Sequence, residues 1–174
     1  MKIELLTPQT ARDTLNDLVE LLQDAVDSGA SVGFLPPLSR EVASNYWLSV
    51  FTDLDAGHRL LLGAIDGARL VGSVQLELAR KPNATHRAEV QRLLVHRSVR
   101  RRGIGERLMR DLEKLARQHG RTLLVLDTRQ GDRWERSAQP VKSFSRFTKR
   151  SSARFLWSPC RYLCASVTIP SLRS

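Results

Sequence analysis

A strand, a glycine turn, a helix and a second strand follow one another between residues 88 and 127. The apolar runs at 88–95 and 123–127 predict two buried strands. Between them, apolar residues recur at helical spacing and predict a helix with one apolar face: Ile104, Leu108, Leu112 and Leu115. This order is a βαβ unit, whose two strands must lie parallel because the helical crossover returns the chain to the same end of the sheet.

Further strands and helices precede this unit. Residues 59–65 and 69–78 are apolar runs joined by Asp66-Gly67, a dipeptide typical of a tight hairpin, so they should pair antiparallel. Residues 2–6 predict a short strand, and residues 15–26 and 39–54 predict two amphipathic helices. The predicted fold class is α/β, with a mixed, mostly antiparallel sheet, flanking helices and one parallel βαβ crossover.

The composition changes abruptly after Asp132. Residues 133–174 contain nine serines, and their nine Lys and Arg stand against one Glu, so this segment holds +8 of the total charge of +10. We therefore predict a domain over residues 1–132 and an atypical basic, Ser/Arg-rich segment over 133–174, either part of the same domain or partly disordered. Residues 161–169 could still form a strand, and a shifted reading frame near Asp132 is a further hypothesis.

Several classes of protein are disfavoured by the composition. At 174 residues and 41% hydrophobic, the chain has the length and balance of one globular domain. No apolar run approaches the roughly 18 residues of a membrane span, and the start lacks the pattern of a secretion signal, so we expect a cytoplasmic protein without a membrane partner. The cysteines and histidines lack metal-like spacing, so no metal is expected: Cys160, Cys164, His58, His86, His96 and His119.

The sequence Arg100-Arg101-Arg102-Gly103-Ile104-Gly105 lies between the strand and the helix of the βαβ unit. Glycines allow a tight turn, and backbone N–H groups at a helix N-terminus favour an anion, so a phosphate or pyrophosphate is the expected ligand. A P-loop would need Gly-Lys-Ser/Thr, and a dinucleotide fingerprint would need a glycine where Leu108 stands. The alternative is that the glycines only shape the turn while the arginines lie in solvent.

This six-residue sequence resembles the signature of the GCN5-related N-acetyltransferase (GNAT) family, Gln/Arg-x-x-Gly-x-Gly/Ala, between the fourth strand and the third helix. The resemblance covers roughly residues 2–127, because the helices, hairpin, signature and next strand come in the family's order. Within the family, residues 30–34 and 88–91 look most like the tabtoxin-resistance acetyltransferase. That likeness favours a small amino-acid-like acceptor, with the loop 30–34 contributing to its site.

The resemblance implies that acetyl-CoA is the cosubstrate. Its pyrophosphate would lie on the backbone N–H groups of residues 101–106, and its pantetheine arm would pair with a bulged end of the fourth strand. The N–H of Leu94 would then stabilise negative charge on the thioester oxygen. The implied cofactor-binding residues are Leu93, Leu94, Val95, Arg100, Arg101, Arg102, Gly103, Ile104, Gly105 and Glu106.

By the same resemblance, Glu89 matches a position where some members place the carboxylate that removes the proton of the amine. The alternative is a surface carboxylate that pairs with Arg87 or Arg92. The family's later Tyr and Gly-Phe pattern has no counterpart after Arg133, so no general acid is assigned.

The function expected from this resemblance is acetyl transfer from acetyl-CoA to the amine of a small molecule, by direct attack in a ternary complex. One alternative is a GNAT-fold protein that binds CoA with impaired catalysis because its C-terminal part is altered. Another is a protein that binds nucleic acid or an acidic partner through its basic segment, although no nucleic-acid-binding motif stands out. The sequence leaves a homodimer open.

Overall fold

The computed structural model describes residues 1–30, 32–129 and 162–168. The strands are β1 (Lys2–Leu5), β2 (Arg59–Asp66), β3 (Arg69–Leu78), β4 (Arg87–Val95), β5 (Leu123–Arg129) and β6 (Tyr162–Thr168). The α-helices are α1 (Pro8–Asp13), α2 (Leu15–Asp27), α3 (Arg40–Asp55) and α4 (Ile104–Gln118). Short 3₁₀ turns at Pro82–Ala84 and Arg97–Val99 flank β4.

The strands form one sheet in chain order, from β1 to β6. The pairs are antiparallel except for β4 and β5, which run parallel on either side of the crossover through α4. The prediction of a mixed, mostly antiparallel sheet with one βαβ crossover is therefore confirmed. The hairpin between β2 and β3 turns at Asp66-Gly67, where Gly67 has φ +64°.

The N-terminal helices begin where polar residues cap them. The Ser39 hydroxyl accepts a hydrogen bond from the N–H of Val42 at 3.2 Å, as predicted for the start of the second long helix. The short α1 was not predicted, because six residues are too few to show a helical period. Its start is capped in the same way, by the Thr7 hydroxyl on the N–H of Thr10.

Two apolar layers pack on opposite faces of the sheet. Helices α1 to α3 cover one face, where Trp47 and Leu18 are fully buried and the Trp47 indole N–H donates to the carbonyl of Leu18 at 2.9 Å. Helix α4 covers the other face through its predicted apolar stripe. The sheet is therefore held between helices while the end of β4 lies between the two layers.

Strand β4 carries a bulge and then separates from β5. In its pairing with β3, Gln91 lies opposite Gln75 but Leu94 lies opposite Ser73, so β4 contains one extra residue. Arg92 lies at this bulge with φ +44°. The pairing with β5 covers only Arg87–Val90 of β4. We call the gap between β4 and β5 beyond Val90 the β4–β5 wedge.

Strand β6 pairs antiparallel with β5, from Leu123 opposite Thr168 to Arg129 opposite Tyr162. It falls in the 161–169 run for which a strand was an open alternative. The rest of the basic segment, with Cys160, lies outside the described residues. The division of the chain at residue 132 stays a prediction.

Candidate functional site

The glycine turn, residues 100–105, carries the chain from the end of β4 into α4. Arg101 and Gly103 have φ values of +64° and +72°, and Gly103 is the N-cap of α4. Within the described part of the chain, no atom lies within 4 Å of the place where a Cβ of Gly103 would stand. The N–H groups of the first helical turn point out of the helix into this open space. The turn thus has the geometry of an anion cradle.

A carboxylate of α2 holds the base of this turn. Asp24, whose side chain is 7% exposed, accepts the backbone N–H of Arg97 at 2.9 Å and also the Arg97 guanidinium. It lies 3.6 Å from the guanidinium of Arg100. Because the buried carboxylate faces two arginines and a backbone donor, its charge is well compensated.

The three arginines of the turn differ in what they contact. Arg100 donates to the carbonyl of Val95 and to the hydroxyl of Ser28, each at 2.9 Å. Arg101 and Arg102 are exposed at the mouth of the turn. Arg100 therefore shapes the turn, whereas Arg101 and Arg102 supply charge at its surface.

The turn opens directly onto the wedge. A Cβ placed on Gly105 would lie 3.8 Å from the side chains of both Leu93 and Val95, so the start of α4 borders the end of β4. The Leu93 side chain is 42% exposed, whereas that of Leu94 is buried among the residues under α1 to α3. The cradle and the wedge form one continuous surface.

The direction of the β4 backbone decides which N–H groups face the wedge. The N–H of His96 donates to the carbonyl of Val71 on β3 at 2.9 Å. Because hydrogen-bonded pairs alternate along an antiparallel ladder, the Leu94–Ser73 pair is bonded as well, and the N–H of Leu94 points to β3. In this geometry the N–H of Leu94 is directed away from the wedge, where a thioester would lie. The backbone of Val95, in the non-bonded pair with Gly72, points the other way, toward the wedge, and Leu93 lies at the bulge without a partner in this ladder.

A polar network lies on the sheet face that α1 to α3 cover, next to the wedge. Arg59 donates to Gln75 at 2.7 Å, to Gln91 at 3.2 Å and to Glu77 at 2.9 Å. It also pairs with Asp53 at 3.1 Å. The charge of Arg59 is thus compensated by two carboxylates.

Glu89 lies opposite Glu77 in this network and is half-buried. Its contact is a 3.4 Å hydrogen bond from the amide of Gln91. In the described ranges it forms no ion pair, and neither Arg87 nor Arg92 lies within salt-bridge distance of it. The alternative of a surface carboxylate paired with an arginine is not what the structure shows.

Aromatic residues and an arginine border the same region. The Tyr46 hydroxyl hydrogen-bonds to the side-chain amide of the fully buried Gln75 at 2.8–3.0 Å. Burial raises the pKa of Tyr46, and the nearby charge of Arg92 opposes this. The Arg92 guanidinium lies 4.2 Å from the ring centre of Tyr46 and 5.7 Å from that of Phe34. Phe34 belongs to the loop expected to contribute to the acceptor site; its neighbour Ser31 lies outside the described residues.

Sequence reasoning missed Arg59, Tyr46, Gln75 and Arg92 as site residues. A signal was present in the alternation of polar residues in β3 and β4, because Gln75 and Glu77 occupy every second position of an otherwise apolar strand. Polar side chains on a face that should be buried indicate a network or a site. Arg92 gave no such signal, because its direction depends on the bulge.

Across the described residues, His, Cys, Asp and Glu form no group of three that could hold a metal ion. Among the helices of the described ranges, none combines the length and apolarity that crossing a membrane requires.

Comparison with known proteins identifies the class. The sequence profile of the Acetyltransferase (GNAT) family matches residues 19–136, about two thirds of the chain. An uncharacterised N-acetyltransferase from the hisH–hisA intergenic region of Azospirillum brasilense is 34% identical over 122 residues, which are 68% of this chain and 70% of that relative. The chain belongs to the GNAT acetyltransferase family, which confirms the resemblance found in the sequence.

Solved structures share this fold. An aminoglycoside 6'-acetyltransferase type Ii matches 98% of this chain and 99% of its own with a TM-score of 0.69 and 17% identity. The PaiA N-acetyltransferase of Thermoplasma acidophilum, in complex with coenzyme A, matches 97% and 99% with a TM-score of 0.61 and 18% identity. At such low sequence identities, these matches show that the fold is shared. The likeness to the tabtoxin-resistance enzyme stays a prediction.

Proposed function

We propose that the chain is an acetyl-CoA-dependent N-acetyltransferase that acetylates the amine of a small molecule by direct attack in a ternary complex. The observation that carries the proposal is the β4–β5 wedge, which opens beside the outward N–H groups of α4. The family match and the coenzyme A bound to a protein of the same fold support it. We further propose that the protein acts in the cytoplasm, as expected from its sequence.

The glycine turn would hold the pyrophosphate of the cosubstrate. Gly103 leaves room for it, the N–H groups of residues 101–106 donate to it, and Arg101 and Arg102 add charge. The N-terminal end of the α4 dipole favours the same anion. Arg100 would act by fixing the turn through Val95 and Ser28.

The end of β4 would bind the pantetheine arm as an added strand. There the backbone of Val95 points away from β3, Leu93 has no partner in the β3–β4 ladder, and β5 no longer pairs with β4. The N–H of Leu93 takes the role that the sequence had assigned to Leu94. A fixed backbone donor of this kind stabilises negative charge on a carbonyl oxygen by about 3 kcal/mol.

Glu89 would take the proton from the acceptor amine, directly or through water. Arg59 compensates the neighbouring carboxylates Glu77 and Asp53, which leaves Glu89 as the carboxylate of this face without an ion pair among the described residues. The amine nitrogen then forms a bond to the acetyl carbon, the carbon–sulfur bond breaks, and the thiolate leaves. No residue is assigned to protonate that thiolate.

The proposal is tested by measuring release of the CoA thiol from acetyl-CoA with a panel of amines and amino acids, using a thiol reagent. The amine-dependent rate should rise to saturation with acetyl-CoA. An acetylated product identified by mass spectrometry would show nitrogen as the acceptor. Hydrolysis alone, with no amine dependence in the panel, would refute the proposed acetyl transfer.

A further inference from the structure

Arg92 is an arginine held in place without a carboxylate partner. Its guanidinium stacks on the ring of Tyr46 and lies near Phe34 and Gly33. Its Nε is buried and has no hydrogen-bond partner among the described residues. A buried donor without a partner is costly, so its presence calls for an explanation.

The Nε of Arg59 is buried without a partner as well, so it is their ion pairs that distinguish the other arginines near the site from Arg92. Arg59 pairs with Glu77 and Asp53, and Arg97 and Arg100 both lie against Asp24. No ion pair of Arg92 is found in the parts of the chain described. A guanidinium has five N–H donors, and its contact with Tyr46 does not use all of them, so donors remain for a ligand.

The backbone conformation of Arg92 is also unusual. Arg92 has φ +44°, a conformation that an arginine rarely adopts and that costs free energy. The bulge puts the side chains of Gln91 and Arg92 on the same sheet face, since both contact residues of the polar network or of α3. The Arg92 side chain therefore lies on the same sheet face as Glu89. In the sequence, Arg92 directly precedes Leu93 at the bulge.

Among the described residues, the site thus offers one cation and one anion that form no ion pair, Arg92 and Glu89. We infer that the acceptor is a zwitterion, an amino-carboxylic acid whose carboxylate binds the edge of the Arg92 guanidinium while its amine faces Glu89. This inference rests on the proposed acetyl transfer and specifies its substrate class. A planar guanidinium fork matches a carboxylate, and its charge would be compensated only when the acceptor is bound.

The test compares amino acids with their own carboxamides as acceptors, for example L-lysine with L-lysinamide and L-phenylalanine with L-phenylalaninamide, and includes simple amines. The measured quantity is the ratio of kcat/KM for the acid to kcat/KM for the amide. Arg92→Gln should lower this ratio by about 10- to 100-fold, the range of a charge-assisted hydrogen bond. Comparing this ratio between the variant and the wild type cancels the different intrinsic reactivity of the two amines.

Arg12→Gln is the matched control, because Arg12 also lies over an aromatic ring, Phe51, but pairs with Asp55 outside the site. It should leave the ratio unchanged. If Arg92→Gln does not fold, as judged by circular dichroism and CoA binding, Arg92→Lys replaces it and should lower the ratio by a smaller factor, because the charge stays and the fork is lost.

The outcomes separate this inference from the proposed function. A ratio within twofold of the wild-type value in the folded Arg92 variant, or equal losses with acids and amides, would overturn the inference, since a structural arginine would affect both acceptors alike. Transfer confined to acceptors without a carboxylate would overturn it as well and leave acetyl transfer standing. Absence of transfer to every acceptor, simple amines included, would overturn both.

Discussion

Gly103→Trp is the substitution that separates binding of the cosubstrate from stability of the fold. Gly103 is the N-cap of α4 with φ +72°, and no atom of the described chain comes within 4 Å of the position of its Cβ. The Cβ position is thus open among the described residues, and we expect a large side chain there to occupy the space assigned to the pyrophosphate. The cost to folding is then mainly that of a left-handed conformation, about 1–2 kcal/mol.

The expected loss of binding is larger than this cost. A backbone N–H that donates to a charged group contributes about 1.5–3 kcal/mol, so losing two such contacts should weaken CoA binding by about 100- to 10,000-fold. A domain is stable by about 5–15 kcal/mol, so the variant should still fold. Calorimetric titration with CoA gives the affinity, and thermal unfolding gives the stability.

Gly120→Trp is the matched control at the opposite end of the same helix. Gly120 has φ +69° and, within the described ranges, also no atom within 4 Å of the position of its Cβ. The two variants should lose similar stability while only Gly103→Trp loses CoA affinity. A folded Gly103→Trp variant that binds CoA as tightly as the wild type would refute the assignment of the glycine turn.

The remaining predictions concern the base, the support of the turn and the core. Glu89→Gln should lower kcat by about 100-fold or more, with CoA affinity unchanged; an unaltered kcat would show that Glu89 is not the base. Asp24→Ala removes the acceptor of the Arg97 N–H and should weaken CoA binding by about tenfold, measured by calorimetry. Leu108→Ala, at a side chain with 0% exposure, should lower the free energy of unfolding by about 3 kcal/mol in denaturant titrations, and a loss below about 1 kcal/mol would contradict its place in the core.

The regular elements of the first 129 residues could be predicted from the sequence because their apolar periods are long. The stripe of α4 and the hairpin turn at Asp66-Gly67 are examples, and the structure places both as predicted. The apolar periodicity of such an element extends over many residues, so it can be recognised even when one position departs from it. The short α1 has too few residues for a period to be seen.

The candidate site could be predicted from the sequence only where a glycine marks the backbone conformation that the site requires. Gly103 has φ +72°, a conformation that favours glycine at a tight turn, and the sequence shows this glycine directly. The resemblance assigned the donor at β4 to Leu94, whose N–H points to β3, because the ladder alternation that fixes the direction of each N–H is a tertiary property. The direction of the Arg92 side chain depends on the bulge in β4, so it could not be predicted from the neighbouring residues in the sequence.

The polar network shows a third limit. Arg59 and Gln75 come together from two strands and hold Glu77, and no local pattern says which carboxylate will be compensated. That distinction is the reason for proposing Glu89 rather than Glu77 as the base. It depends on the register of β2, β3 and β4, which side-chain spacing alone does not fix.

Titration of the protein with acetyl-CoA by calorimetry at moderate salt tests the central claim most directly. Inorganic pyrophosphate and a short DNA duplex serve as controls for attraction to the net charge of +10. We expect saturable binding of acetyl-CoA with one site per chain, and much weaker binding of the two controls. Equal binding of all three polyanions, or no binding of acetyl-CoA, would contradict a cosubstrate site built from the glycine turn and the β4–β5 wedge.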